Sequence, residues 1–160
     1  MAKDNKHDQG KPIAGALVDF KRTLRALSVP SMCQHYIGIE YAVAKSFEAC
    51  WLNNDDPVLL AYYAIQLMPV EPDLECPTFI GQFAQHLLEI ASLMEFGQRK
   101  YERSSWLEVP DGFNRYSDAM MRHYLQSFYE LKDRESGYYH LTCVAWNAMC
   151  RCELFLRGRA

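Results

Sequence analysis

The sequence predicts an all-α protein, a bundle of about six helices in one domain. Three observations predict this. Apolar residues recur at helical spacing along most of the chain. Runs alternating apolar and polar, as strands do, are few. Stretches rich in proline, glycine, asparagine and aspartate cut the chain into helix-length pieces. The 160 residues suit one domain, and a 49% hydrophobic, 13% aromatic composition supplies a core.

Each element has its own local reason. Residues 1–12 are polar and form a flexible tail. Ile13 to Leu27 carries Leu17, Phe20, Leu24 and Leu27 at helical spacing, and Pro30 ends it. Ser31 caps a second helix to about Leu52. Asn53-Asn54-Asp55-Asp56-Pro57 is a turn with a built-in helix start, and a short helix, Val58 to Leu67, follows. Met68 to Pro77 holds three prolines and forms a loop. Thr78 caps a long helix to about Glu102, striped by Phe79, Phe83, Leu87, Ile90, Met94 and Tyr101. A loop spans Ser104 to Phe113. Asn114 opens a helix to about Lys132, and Ser136 opens the last one, to about Leu156. The domain covers 13–158.

Composition excludes several classes. The net charge is −3 with both signs dispersed, so no basic block marks a nucleic-acid surface. No run approaches the roughly 18 apolar residues of a membrane span, and the polar N-terminus lacks the apolar stretch of a signal peptide. A soluble, cytoplasmic protein is expected. Its six cysteines form no C-x-x-C pair, which argues against a zinc site and for free buried thiols. Gly10-Lys11 lacks the upstream glycine of a phosphate-binding loop. His7-Asp8 has no helix to hold a metal, and no G-x-S-x-G is present.

The candidate chemistry lies in the last three helices. Glu130 and Asp133 form an E-x-x-D pair, which on a continuous helix puts both carboxylates on one face. Such a pair suits a hard cation; the plainer reading is a solvated helix face. Glu89 and Lys100 are eleven residues apart, within about 20° of one another around a helix. They border the apolar stripe, so Glu89, rather than Glu95, faces the interior. Glu95 and Arg99 read as a surface i,i+4 pair. His140, Cys143, Val144, Asn147 and Arg151 share one arc of the last helix. Its polar members are either a satisfied core group or the wall of a polar pocket.

These residues also carry a resemblance. The pieces are Phe96-Gly97 with Lys100-Tyr101, Trp106, Arg115-Tyr116, Arg122-His123, Asp133-x-Glu135-Ser136-Gly137, His140-Leu141 and Trp146-Asn147-Ala148, in that order. With Asp8-x-Gly10-Lys11-Pro12 in the tail, they resemble the phage dATP/dGTP diphosphohydrolases, the MazZ-like branch of the MazG-like nucleotide pyrophosphohydrolases. The resemblance covers about half of the chain. It departs from the pattern at 28–78, which reads as a helical insertion, and at Cys143, where many relatives have histidine. The family's E-x-x-E half is also not obvious, since Glu89 is followed at that spacing by Ser92.

The resemblance implies a MazG-like helical bundle, a homodimer or homotetramer, and two or three Mg²⁺ or Mn²⁺ ions. It implies hydrolysis of a nucleoside triphosphate between the α- and β-phosphates. Glu89, Glu130 and Asp133 are the expected catalytic carboxylates, holding metal together with Glu135. Lys11, Lys100, Tyr101, Trp106, Arg122, His123, His140 and Asn147 are the expected substrate contacts. The alternatives are an interaction protein or nucleotide sponge on the same scaffold, a housecleaning enzyme for another nucleotide, and a purely structural helical protein.

Overall fold

The computed structural model describes residues 41–69 and 79–160. The expected tail, the helix at Ile13 to Leu27, the Ser31 and Thr78 caps and Lys11 lie outside the described residues. Within them are five α-helices: α1 (Tyr41–Ala49), α2 (Pro57–Gln66), α3 (Phe79–Lys100), α4 (Gly112–Gln126) and α5 (His140–Leu156). A π-helical turn, Cys50–Asn54, continues α1, and a 3-10 turn, Ser105–Glu108, precedes α4. The fold is all-α; among the described residues the one β-like pairing is an isolated bridge between Lys132 and Tyr139. No helix among the described residues is long and apolar enough to cross a membrane.

The turn before α2 forms as its sequence predicts. The Asp56 carboxylate accepts from the Val58 and Leu59 amides at 2.9 and 3.1 Å. Pro57 occupies the first helical position, where its missing N–H costs nothing. Asp55 takes a left-handed conformation, with φ 48°, and its amide bonds Cys50 O at 2.7 Å.

The helix expected from Asn114 to Lys132 starts earlier and stops sooner. It begins at Gly112, where a Cβ would meet Leu154 Cδ1 at 2.9 Å, so glycine permits the close approach of α4 to the end of α5. It ends at Gln126, because Ser127 turns its hydroxyl back onto Tyr124 O at 2.6 Å. Glu130 and Asp133 are therefore not on a helix face. Glu130 ends the turn that follows α4, and Asp133 lies in a closed loop whose ends are tied by the Asp133 amide to Tyr138 O at 2.8 Å and the His140 amide to Leu131 O at 2.9 Å. Gly137, at φ 77°, supplies the positive dihedral this loop needs. The last helix accordingly starts at His140 and not at Ser136.

Helices α2, α3 and α4 all pack on α5. The α4–α5 pair is antiparallel: Gly112 meets Leu154, Ser117 bonds Arg151, and His123 meets His140. Small residues Ala145 and Ala148 are fully buried on α5. They join Phe47, Trp51, Leu60, Met120, Tyr124 and Val144 in one core. Residues 41–69, inside the expected insertion, thus share the core of the remainder. On α3 the buried apolar positions are Ile90 and Leu93, whereas Leu87, expected in the stripe, is exposed.

Arg151 is the most demanding core residue. It is fully buried, with Nη2 donating to Asp55 Oδ1 at 2.8 Å and Nε to Ser117 Oγ at 2.5 Å. Its guanidinium lies over the Trp51 and Phe113 rings, 4.9 and 4.4 Å from their centroids. One charge thereby joins α5, α4 and the π-helical turn. Asp55→Asn keeps the left-handed backbone but removes the countercharge. It is expected to lower unfolding free energy in urea by about 2 kcal/mol. Glu95→Gln, in the exposed pair with Arg99, is expected to cost less than about 0.5 kcal/mol.

Candidate functional site

A pocket of about 230 Å³ opens between α3, α4, α5 and the 133–136 turn. Helix α3 contributes Lys100, the residue after it is Tyr101, and the 3-10 turn contributes Trp106. Helix α4 contributes Arg122 and His123, the turn contributes Asp133 and Glu135, and α5 contributes Cys143, Trp146 and Asn147. Eight of the twelve site residues expected from sequence line this one pocket. Glu89, Glu130 and His140 lie beside it rather than in its wall, as the contacts below show.

The aromatic wall is held by packing. Trp106 meets Trp146 edge-on with centroids 5.6 Å apart, and the Tyr116 hydroxyl donates to Trp106 O at 2.7 Å. Lys100 forms an ion pair with Glu135 across the pocket mouth. Asn147 is fixed by its Nδ2, which donates to Cys143 O at 2.7 Å.

The innermost polar group is a trio. Candidate ligand atoms of His123, Asp133 and His140 all lie within 4.8 Å of one another. The two histidine Nδ1 atoms are 2.9 Å apart, so one ring carries the proton there and the other presents a lone pair. Asp133 is set by Ser136, whose amide and hydroxyl both donate to Oδ2, at 2.9 and 2.7 Å. Burial by itself raises the Asp133 pKa, but these two bonds and the neighbouring imidazoles leave it below the ordinary value. Burial, with help from the Arg122 charge, pushes His123 down to about 4. Cys143 is driven the other way, to about 12, by burial and the Asp133 charge. Its thiol stays protonated at neutral pH and is no nucleophile.

The expected carboxylates do not gather into one cluster. Glu89 does face inward, but its Oε1 accepts from Thr142 Oγ1 on α5 at 2.7 Å. Glu130 pairs with Arg134 at 3.0 Å and approaches His140 Nε2 at 3.6 Å. Glu135 is engaged by Lys100. Of the four, Asp133 alone joins the trio. Two further residues matter here that sequence reasoning missed. Ser136 fixes Asp133, a role its Asp-x-x-Ser-Gly setting advertises as a turn. Asp118, one turn before the pocket residue Arg122, is buried with neither oxygen hydrogen-bonded, and burial raises its pKa. No sequence periodicity singles it out.

Residues 72–160 match the family described as dATP/dGTP diphosphohydrolase, N-terminal. The chain belongs to this family. Every residue lining the pocket falls within the matched stretch. No curated protein and no solved structure matches the chain.

The His123 shift makes stability depend on pH. An unfolded chain protonates this imidazole near 6.5, the folded one only near 4. Lowering the pH between these values therefore favours the unfolded chain, and the loss from this residue levels off below about 4. Urea titrations across this range should show a shallower decline for His123→Gln than for the parent protein.

Proposed function

We propose that this protein is a nucleoside triphosphate pyrophosphohydrolase, converting dATP or dGTP to the monophosphate and pyrophosphate. The observation that carries this reading is the pocket itself. It sets Lys100 and Arg122 beside an aromatic wall of Tyr101, Trp106 and Trp146, all within the family-matched stretch. Two cations suit a polyphosphate, and the aromatic wall suits a base. Lys100 exchanges Glu135 for phosphate oxygens when substrate enters, while Arg122 takes a second phosphate in a forked hydrogen bond. The base stacks on Trp106, and Asn147 contacts the sugar or base. Water held by Asp133 and His123 attacks the α-phosphorus as the Asp133 carboxylate takes its proton, and the α–β bridging oxygen leaves with pyrophosphate. His123, uncharged near neutral pH, offers a hydrogen-bond acceptor to that water.

The family resemblance also implies two or three Mg²⁺ or Mn²⁺ ions held by carboxylates. Among the described residues the group that converges has one carboxylate, Asp133, and two imidazoles, and these would hold such an ion. Assembly as a homodimer belongs to the same proposal. Exposed Val58, Leu59 and Tyr62 on α2 and Leu88 on α3 support it.

A nucleotide panel with product analysis tests the reading. Pyrophosphate and the monophosphate should appear in equal amounts, with dATP and dGTP preferred. Arg122→Ala should lower kcat/KM by about 100-fold, as loss of a charged phosphate contact does. Orthophosphate as the first product would contradict the proposed bond cleavage. Tight nucleotide binding without turnover would favour a nucleotide-binding protein on the same scaffold.

A further inference from the structure

We propose that Asn147 selects the base: its amide oxygen accepts a hydrogen bond from the 6-amino group of adenine, so that dATP is preferred over dGTP. The inference rests on the nucleotide reading of the pocket for its ligand and goes beyond it in naming the base.

The amide is held in one orientation. Asn147 lines the pocket although it is only 6% exposed. Its Nδ2 donates to Cys143 O, one turn back on α5, at 2.7 Å. A carbonyl oxygen can be met only by the NH₂ side of a carboxamide, so this bond excludes the flipped amide. The anchor uses the nitrogen and leaves the amide oxygen for a ligand. That oxygen can only accept, and leaving such a group unmet beneath a bound ligand is costly.

Position along α5 puts this acceptor at the level of the base rather than the sugar. His140, the first residue of α5, stands with Asp133 and His123, where the α-phosphorus is attacked. A helix rises about 1.5 Å per residue, so Cys143 lies about 4.5 Å further along the axis and Asn147 about 10 Å. A nucleotide extended along α5 brings its sugar to Cys143 and the far edge of its base to Asn147. The aromatic wall stands at the same level: Trp146 precedes Asn147 and meets Trp106 edge-on, with centroids 5.6 Å apart. A base against Trp106 is held by its face, which leaves its edge for the amide.

The chemistry of that edge decides the preference. Adenine presents an amine there, a donor that meets the acceptor. Guanine presents a carbonyl oxygen at the same position, and its own amine lies across the ring. Two facing acceptors repel and both stay unpaired. A site built to bond a substrate amine rejects an analogue without one more strongly than an apolar wall does.

The test compares dATP, dGTP and the triphosphate of purine 2′-deoxyriboside, which carries hydrogen in place of the adenine amine. Turnover gives kcat/KM for each. Equilibrium binding of the same three, followed by tryptophan fluorescence, reports base preference even without turnover. dATP is expected to exceed both others by about tenfold or more. Asn147→Leu, an apolar side chain of similar size, should bring the three within about twofold of one another, mainly by lowering the value for dATP. Circular dichroism identifies a variant that has lost its fold; the three nucleotides on the parent protein then decide alone. Equal use of dATP and the purine analogue, a preference for dGTP, or a dATP preference kept in folded Asn147→Leu would overturn the proposal. Pyrophosphate release from dATP and dGTP alike would also overturn it, while leaving the hydrolase reading intact. Selective dATP binding that depends on Asn147, in a protein that turns over no nucleotide, would uphold it and contradict the hydrolase reading.

Discussion

The antiparallel packing of α4 against α5 is the constraint on which the rest depends. At one end Gly112 admits Leu154, in the middle Ser117 meets Arg151, and at the other His123 meets His140. Because α5 is covered by α2, α3 and α4, its buried polar residues His140, Thr142, Asn147 and Arg151 cannot turn to solvent. They must find partners inside, and the partners they find organise the molecule. Arg151 gathers Asp55 and Ser117, Thr142 holds Glu89, and His140 holds His123.

This arrangement separates two kinds of buried polarity. Around Arg151 the charge is paired with a carboxylate and lies against two aromatic faces, with Nη1 alone left without a hydrogen bond, and the group serves architecture. Around His140 the matching is incomplete, since Nε2 lacks a hydrogen bond while Asp133 and His123 crowd nearby. An incompletely satisfied polar cluster is costly in a low-dielectric interior. It is tolerated where a ligand completes it, and here it sits at the floor of a pocket whose rim carries Lys100 and Arg122.

Much of this was legible in the sequence, for identifiable reasons. Helical periodicity gave the all-α class, and Asp56-Pro57 marked the start of α2 to within a residue because capping is a local interaction. The pocket residues Lys100, Trp106, Arg122, His123 and Asn147 were legible through the family resemblance. The E-x-x-D pair was misplaced on a helix because the apolar pattern continues through Phe128 and Leu131 beyond the end of α4. Ser127 and the turn closed by Ser136 and Gly137 override that pattern, and turn chemistry outweighs periodicity when side chains compete for the backbone. The scattering of Glu89, Glu130 and Glu135 among separate partners depends on tertiary geometry. No spacing along the chain encodes it, and neither does it encode the burial of Asp118.

The central claim is that the pocket between α3, α4 and α5 receives a nucleoside triphosphate, with its phosphates toward Lys100 and Arg122. A crystal structure of the complex with an α,β-methylene dATP analogue tests it most directly. The account predicts the phosphates within hydrogen-bond distance of both cations, the base against Trp106, and the α-phosphorus nearest Asp133. An analogue bound elsewhere on the molecule, or bound here with its phosphates turned away from Lys100 and Arg122, would contradict it.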